Sequence, residues 1–167
     1  MKYILLFYVC FLVACTATPY QSGIGTGQGY FETRISENKY TVSFQGNSVT
    51  TYQQAYDYAL LRATEIGLEL GYELIVLEGA EKYSEQSTGS FAIPVYTPPA
   101  DLINGSGTWS TGQQTYTEVR PGYKITVVYL NEEPEGLFLS DTVFNIQDIS
   151  KNLKLKYFAP VKDLNIQ

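Results

Sequence analysis

"TYQQAYDYALLRATEIGLELGYELIVLEGA", residues 51–80, changes its apolar period once, and that change decides the fold. Ala55, Ala59, Ala63, Ile66 and Leu70 recur at three- and four-residue spacing, which places them on one stripe of a helix. Thr51-x-x-Gln54 has the pattern of a capping box at its start, and Gly71 stands where a helix terminates in a left-handed residue. From Tyr72 to Ala80 the run is instead apolar through its middle, on both faces, as expected of a central strand covered by the helix.

Outward from this helix-to-strand switch the signals are those of an antiparallel sheet. Phe31, Thr33 and Ile35 alternate with Glu32 and Arg34, and Tyr40, Val42 and Phe44 alternate with Thr41, Ser43 and Gln45. Two strands around a Ser36-Glu37-Asn38 turn fit that period. Gly46-Asn47-Ser48 breaks the second strand ahead of the helix. Strand, helix and strand with a short second connection predict a split arrangement, the two strands flanking or neighbouring each other under the helix. "GYKITVVYLNEE", residues 122–133, predicts another strand with Tyr123, Ile125, Val127 and Tyr129 on one face.

Residues 84–115 are rich in Ser, Thr, Gly and Pro and poor in charge, and read as a long loop or a loosely formed hairpin. After Pro134, Ser140 or Asp141 is expected to cap a helix using Val143, Ile146, Ile149 and Leu153. "NLKLKYF", residues 152–158, reads as an edge strand with Leu153, Leu155 and Tyr157 inward and Lys154 and Lys156 guarding the outside. The expected fold is α+β: one small domain over residues 30–167, with a mostly antiparallel sheet of four to five strands packed on one long helix and a candidate second helix near the C-terminus.

The first residues set an address. One basic residue, Lys2, precedes an apolar run from Tyr3 to Ala14 that is too short to span a bilayer, the layout of a secretory signal over residues 1–14. Leu12-Val13-Ala14-Cys15 resembles the lipobox of bacterial lipoproteins. That resemblance implies a diacylglyceryl thioether on Cys15 and an acylated new terminus, so that the partner of this segment is the membrane itself. Thr16 rather than Asp after the cysteine looks like sorting to the outer membrane, facing the periplasm. Residues 15–29 then read as the lipidated cysteine and a flexible linker. The glycines at 23, 25, 27 and 29 do not form a phosphate loop, because Gln28 and Tyr30 stand where G-x-G-x-x-G needs glycine.

Composition removes whole classes of chemistry. The chain has no His, and of its two cysteines Cys10 lies inside the signal and Cys15 is the expected lipidation site. Ser-His-Asp and Cys-His nucleophile systems and most zinc sites are thereby excluded, and no cofactor is implied. The formal net charge is −6, with seventeen acidic against eleven basic residues; basic residues gather late, at Lys151, Lys154, Lys156 and Lys162. An acidic body without a basic stripe argues against nucleic acid as a partner. The basic tail is read either as edge-strand protection or as an attraction to anionic headgroups.

The runs "GYFETRISENKYTVSFQGN" and "DYALLRATEIGLELGYELIVLE" resemble a family of small bacterial envelope lipoproteins of uncharacterised function. The resemblance lies in a G-Y-x-E-T/S-R opening, a V-S-F-x-G-N strand end and an R-A-x-E helix ending in G-Y. It covers roughly residues 12–82 and 123–130. It implies the same address and fold, and it carries no catalytic residues.

Two groups stand out as more than scaffold. Arg62 falls on the flank of the helix stripe, where a guanidinium needs a partner; Glu65, Glu32 and Glu78 are candidates. It reads as a salt bridge locking helix to sheet or as a clamp for phosphate or carboxylate. Phe91, Tyr96, Trp109 and Tyr116 in the long middle segment suit a glycan or a partner protein, or tack that segment to the sheet. Asn104-Gly105-Ser106 is read as a turn. The expectation is a lipid-anchored periplasmic domain that binds or scaffolds another envelope component. A carboxylate-dependent enzyme acting on envelope polysaccharide is the alternative.

Overall fold

The computed structural model describes residues 16–100, 105–132 and 143–159. Strands β1 (Gly29–Arg34) and β2 (Lys39–Gln45) are followed by helix α1 (Tyr52–Glu69). Strands β3 (Leu74–Thr97), β4 (Thr108–Leu130) and β5 (Val143–Asn145) and helix α2 (Ile146–Phe158) complete the order. The sheet runs β1-β2-β4-β3-β5, with β1 and β2, β2 and β4, and β3 and β5 paired antiparallel. Because β4 lies between β2 and β3, the β2-α1-β3 unit is the split arrangement the sequence predicts, in an α+β fold.

The switch at residues 70–73 is a complete Schellman termination. Tyr72 N donates to Gly67 O at 2.9 Å and Gly71 N to Leu68 O at 3.1 Å, with Gly71 at φ +80, a conformation costly for any residue with a Cβ. Thr51 caps the other end by accepting from Gln54 N at 3.1 Å, whereas the Gln54 side chain turns to the Tyr58 hydroxyl. Ala55, Ala59, Ala63 and Ile66 are buried as expected. Leu70 is not: it lies past the last helical residue and is 47% exposed.

Those small residues let α1 come close to the sheet. Val42 and Phe44 of β2 and Ile125, Val127 and Tyr129 of β4 are fully buried beneath it, together with Ile75 of β3 and Ile146 of α2. Tyr129 also reaches the helix backbone, its hydroxyl donating to Ala63 O at 2.7 Å.

Three expectations change. The chain is seated on the domain from Thr18 onward rather than forming a linker to residue 29. Thr18 is 2% exposed and its N–H donates to Thr50 Oγ1 at 3.2 Å; Gly23 N and Tyr30 O join at 2.8 Å. Gly29, at φ +129, is tight against Gln21 O, so only a residue without Cβ closes this turn. Residues 152–158 are helix, not an edge strand. Leu153 and Tyr157, four apart, pack on the core while Leu155 is 58% exposed, and Asn145 caps by accepting from Gln147 N and Asp148 N. The expected caps Ser140 and Asp141 lie outside the described residues, as do Cys15, Asn104 and Lys162. Finally, most of 84–115 is not a loop. Its hairpin alternative holds, with strand through Thr97 and again from Thr108, because Thr and the Phe91, Ile93, Val95 alternation suit a pleated strand.

The described chain divides into two compact units, one formed by residues up to Ser84 and from Arg120 onward, the other by Glu85–Val119. The second is the distal part of β3 and β4 and is a two-stranded ribbon. Tyr96 packs on Trp109 at 5.0 Å between centroids and Phe91 on Tyr116 at 6.2 Å. A Cβ added at Gly89 would strike the Tyr116 ring, and one at Gly107 the Tyr96 ring, so these rings cover bare backbone.

Candidate functional site

Arg62, on α1 facing β1, is held by three carboxylates. Its Nε donates to Glu32 Oε2 at 2.6 Å and its Nη2 to Glu32 Oε1 at 3.3 Å, a fork-to-fork pair from helix to sheet. Nη1 donates to Glu69 Oε1 at 3.1 Å and stands 3.5 Å from Glu65 Oε2. The Tyr30 ring lies 5.1 Å from Cζ, completing a cation–π contact. The hydrogen bond to Glu32 is the main cause holding the guanidinium pKa above its ordinary value, with burial opposing it. This geometry is that of a tie between α1 and β1; every guanidinium nitrogen already faces a carboxylate, and Glu78 instead pairs with Lys39.

Glu65 belongs to the same cluster. Tyr20 donates its hydroxyl to Oε2, and Lys154 of α2 approaches Oε1 at 3.6 Å. Burial, followed by the bond to Glu65, pushes the Tyr20 phenol well above its ordinary value. The N-terminal segment, α1 and α2 therefore meet at one carboxylate.

A second cluster was not legible in the sequence. Asp57 of α1, 4% exposed, accepts from Gln53 Nε2 at 2.8 Å, Lys156 Nζ at 2.6 Å and the Tyr157 hydroxyl at 2.6 Å. Burial and then the bond to Asp57 push the Tyr157 phenol up to about 12. The one available signal was that Asp57 is the single charged residue among the first ten of α1, Tyr52–Leu61. Its partners on α2, Lys156 and Tyr157, lie about a hundred residues away, beyond any spacing argument.

Between α1 and α2 runs a groove of about 560 Å³ with Leu61, Leu155 and Phe158 for its apolar part and Glu65, Lys151 and Lys154 for its polar part. Among the described residues Glu65 is the one carboxylate lining it, and both its oxygens are engaged. Most glycosidases use two carboxyl groups, one of them able to give up a proton to the leaving group. Among the described residues no three Cys, Asp or Glu side chains converge as a metal-binding group.

The sequence-predicted aromatics occupy the ribbon. Trp109 is 71% exposed, and Phe91, Tyr96 and Tyr116 are each about half exposed. Their pairing across the ribbon leaves one side of each ring in solvent. Of the basic tail, Lys154 and Lys156 are engaged by Glu65 and Asp57, which replaces the edge-strand role expected of them. No helix among the described residues is long and apolar enough to cross a membrane.

No protein-family model, curated protein or solved structure matches the chain.

Proposed function

We propose that this chain is a lipid-anchored binding module of the bacterial envelope, held by acyl chains on Cys15 at the outer membrane, with the ribbon Glu85–Val119 as the element that contacts another envelope component. One observation carries the reading: four large aromatic side chains, three about half exposed and Trp109 more so, stand on an element that has no Lys or Arg and three acids in thirty-five residues. Aromatic rings held by cross-strand packing offer contact area at little entropic cost. The engaged carboxylates of both ion clusters supply ties between elements rather than a free acid and base, which supports a non-enzymatic role.

Photo-cross-linking in intact cells tests this. A photoreactive residue at Trp109 or Tyr116 should capture a discrete envelope component, while the same probe at the exposed Leu155 should not. Equal capture from all three positions, or none from the ribbon, refutes the assignment. Cys15→Ala provides the matching test of the anchor: it should abolish lipid labelling and release the chain from the membrane fraction.

A further inference from the structure

The ribbon's faces and its edges pose separate problems. Beyond residue 76 β3 has β4 as its sole described strand partner, and before residue 122 β4 has only β3, so within Glu85–Val119 both outer edges are open among the described residues. A two-stranded hairpin alone is marginally stable in water. Exposed edges are normally blunted by Lys, by inward charges or by bulges, because bare N–H and C=O groups recruit other strands. Here no basic residue occurs between Glu85 and Val119, and in the described strands the acids are Glu85 and Glu118, at the base of the ribbon rather than along it.

The outward-facing backbone groups can be assigned. Pro94 lacks an N–H, and a proline inside a paired strand sits where that absence faces away from the partner. Residues alternate along a strand, so Thr88, Ser90 and Ala92 also turn their backbone groups outward on β3. Tyr96 belongs to the same set, and its ring meets Trp109 across the ribbon; such rings meet when their residues are directly opposed or offset by two, and either way the alternation on the two strands is in step. Directly opposed residues in an antiparallel pair turn the same way. Thr111, Gln113 and Thr115, in step with Trp109, are therefore outward on β4. Pro94 interrupts the β3 edge, leaving Glu85–Ile93 as its continuous donor and acceptor row, with a matching row on β4.

We infer that the occupant of these edges is a second copy of this chain, the β4 edge of one ribbon pairing with the β3 edge of the next. The two rows are of similar length and equally free of charge, and they are present in equal number by construction. Which edges meet rests on the proposed anchoring: copies held on one membrane surface share an orientation, and side by side their strands continue the up-down alternation as β3-β4-β3-β4. Such head-to-tail pairing is heterologous and produces a ring or an open row.

The test uses the full chain in detergent, its mass followed by light scattering against concentration. The unmodified chain should associate reversibly. Thr88→Lys with Ser90→Lys blocks the β3 edge, and Thr111→Lys with Gln113→Lys blocks the β4 edge. Each variant alone should be monomeric with an unchanged circular dichroism spectrum. Mixed, the two should form a dimer and nothing larger, because one free edge of each kind remains. Amide exchange at Thr88, Ser90, Thr111 and Gln113 should be slow in the associated state and fast on dilution. An unmodified chain that is monomeric throughout, a variant that still associates, or a mixture that stays monomeric overturns the inference. Loss of association with photo-capture at Trp109 intact separates this pairing from the contact made by the ribbon faces.

Discussion

Removing Arg62 should destabilise the fold by an amount set by how wet its partners are. The guanidinium is 15% exposed, but Glu32 is 40% and Glu69 63% exposed, so two of the three carboxylates can rehydrate once the cation is gone. Breaking a buried pair costs about 3–5 kcal/mol, and an exposed pair contributes about 0–1 kcal/mol. Arg62→Ala is therefore expected to cost about 2–3 kcal/mol. Glu65, at 22% exposed, is the least relieved carboxylate, and the Tyr30 ring loses its cation. Arg62→Lys keeps the charge but not the fork to both Glu32 oxygens, and should cost about 1 kcal/mol. Urea unfolding of Arg62→Ala, Glu32→Gln and the double variant closes a mutant cycle, whose coupling should be about 1 kcal/mol or more. Because the guanidinium is largely shielded, molar salt should leave most of that coupling in place. A coupling within about 0.3 kcal/mol of zero would refute the reading of Arg62 as a tie between α1 and β1.

Three further outcomes follow from packing and charge. Asp57→Ala leaves the Tyr157 hydroxyl and Lys156 without their carboxylate and should lower stability by about 2–4 kcal/mol in denaturant melts; it should also return the Tyr157 phenol toward its ordinary pKa. For Tyr157 in the unmodified chain the folded value, about 12, exceeds the ordinary 10.0. Its stabilising contribution is thus whole below about pH 10 and lost as pH rises through about 12. Tyr20 and Tyr129, shifted the same way mainly by burial, add to that alkaline loss, and the share of tyrosinate absorbance that a Phe substitution at each of these three removes should rise in step with unfolding rather than ahead of it. Gly67→Ala gains about 1 kcal/mol of helix propensity, yet its Cβ would lie 2.7 Å from Ile146 Cδ1 and 2.9 Å from Tyr129 Cε1. Overpacking costs about 1–3 kcal/mol, so a net loss near 1 kcal/mol is expected in the same melts.

Where the apolar period is long and pure, the sequence is a sufficient guide. Val42 and Phe44, and Ile125 to Tyr129, alternate because each strand buries one face under α1, and Gly71 marks the helix end because no other residue tolerates that φ cheaply. "NLKLKYF" misleads because Leu153 and Tyr157 satisfy both a two-residue and a four-residue period. The tertiary partners Asp57 and Glu65, which settle the choice by engaging Lys156 and Lys154, are invisible locally. The ribbon lacks the apolar content that announces a strand, since neither of its faces is buried in a core. The flank position of Arg62 foretold an ion pair and named Glu32 and Glu65 among its partners, whereas Asp57 and the groove are assembled from residues some hundred apart.

The burial of Thr18 shortens the leash. Two residues, Thr16 and Ala17, separate the side chain that would carry the lipid from the buried Thr18, and three extended residue steps reach roughly 10 Å at most. If acyl chains on Cys15 hold the domain as proposed, it would ride at the headgroups instead of roaming on a string. Its search for a partner would then be two-dimensional, by lateral diffusion along the leaflet. Whatever it grips would have to come to the membrane surface, and inserting a flexible spacer between Cys15 and Thr18 would exchange that enforced proximity for reach.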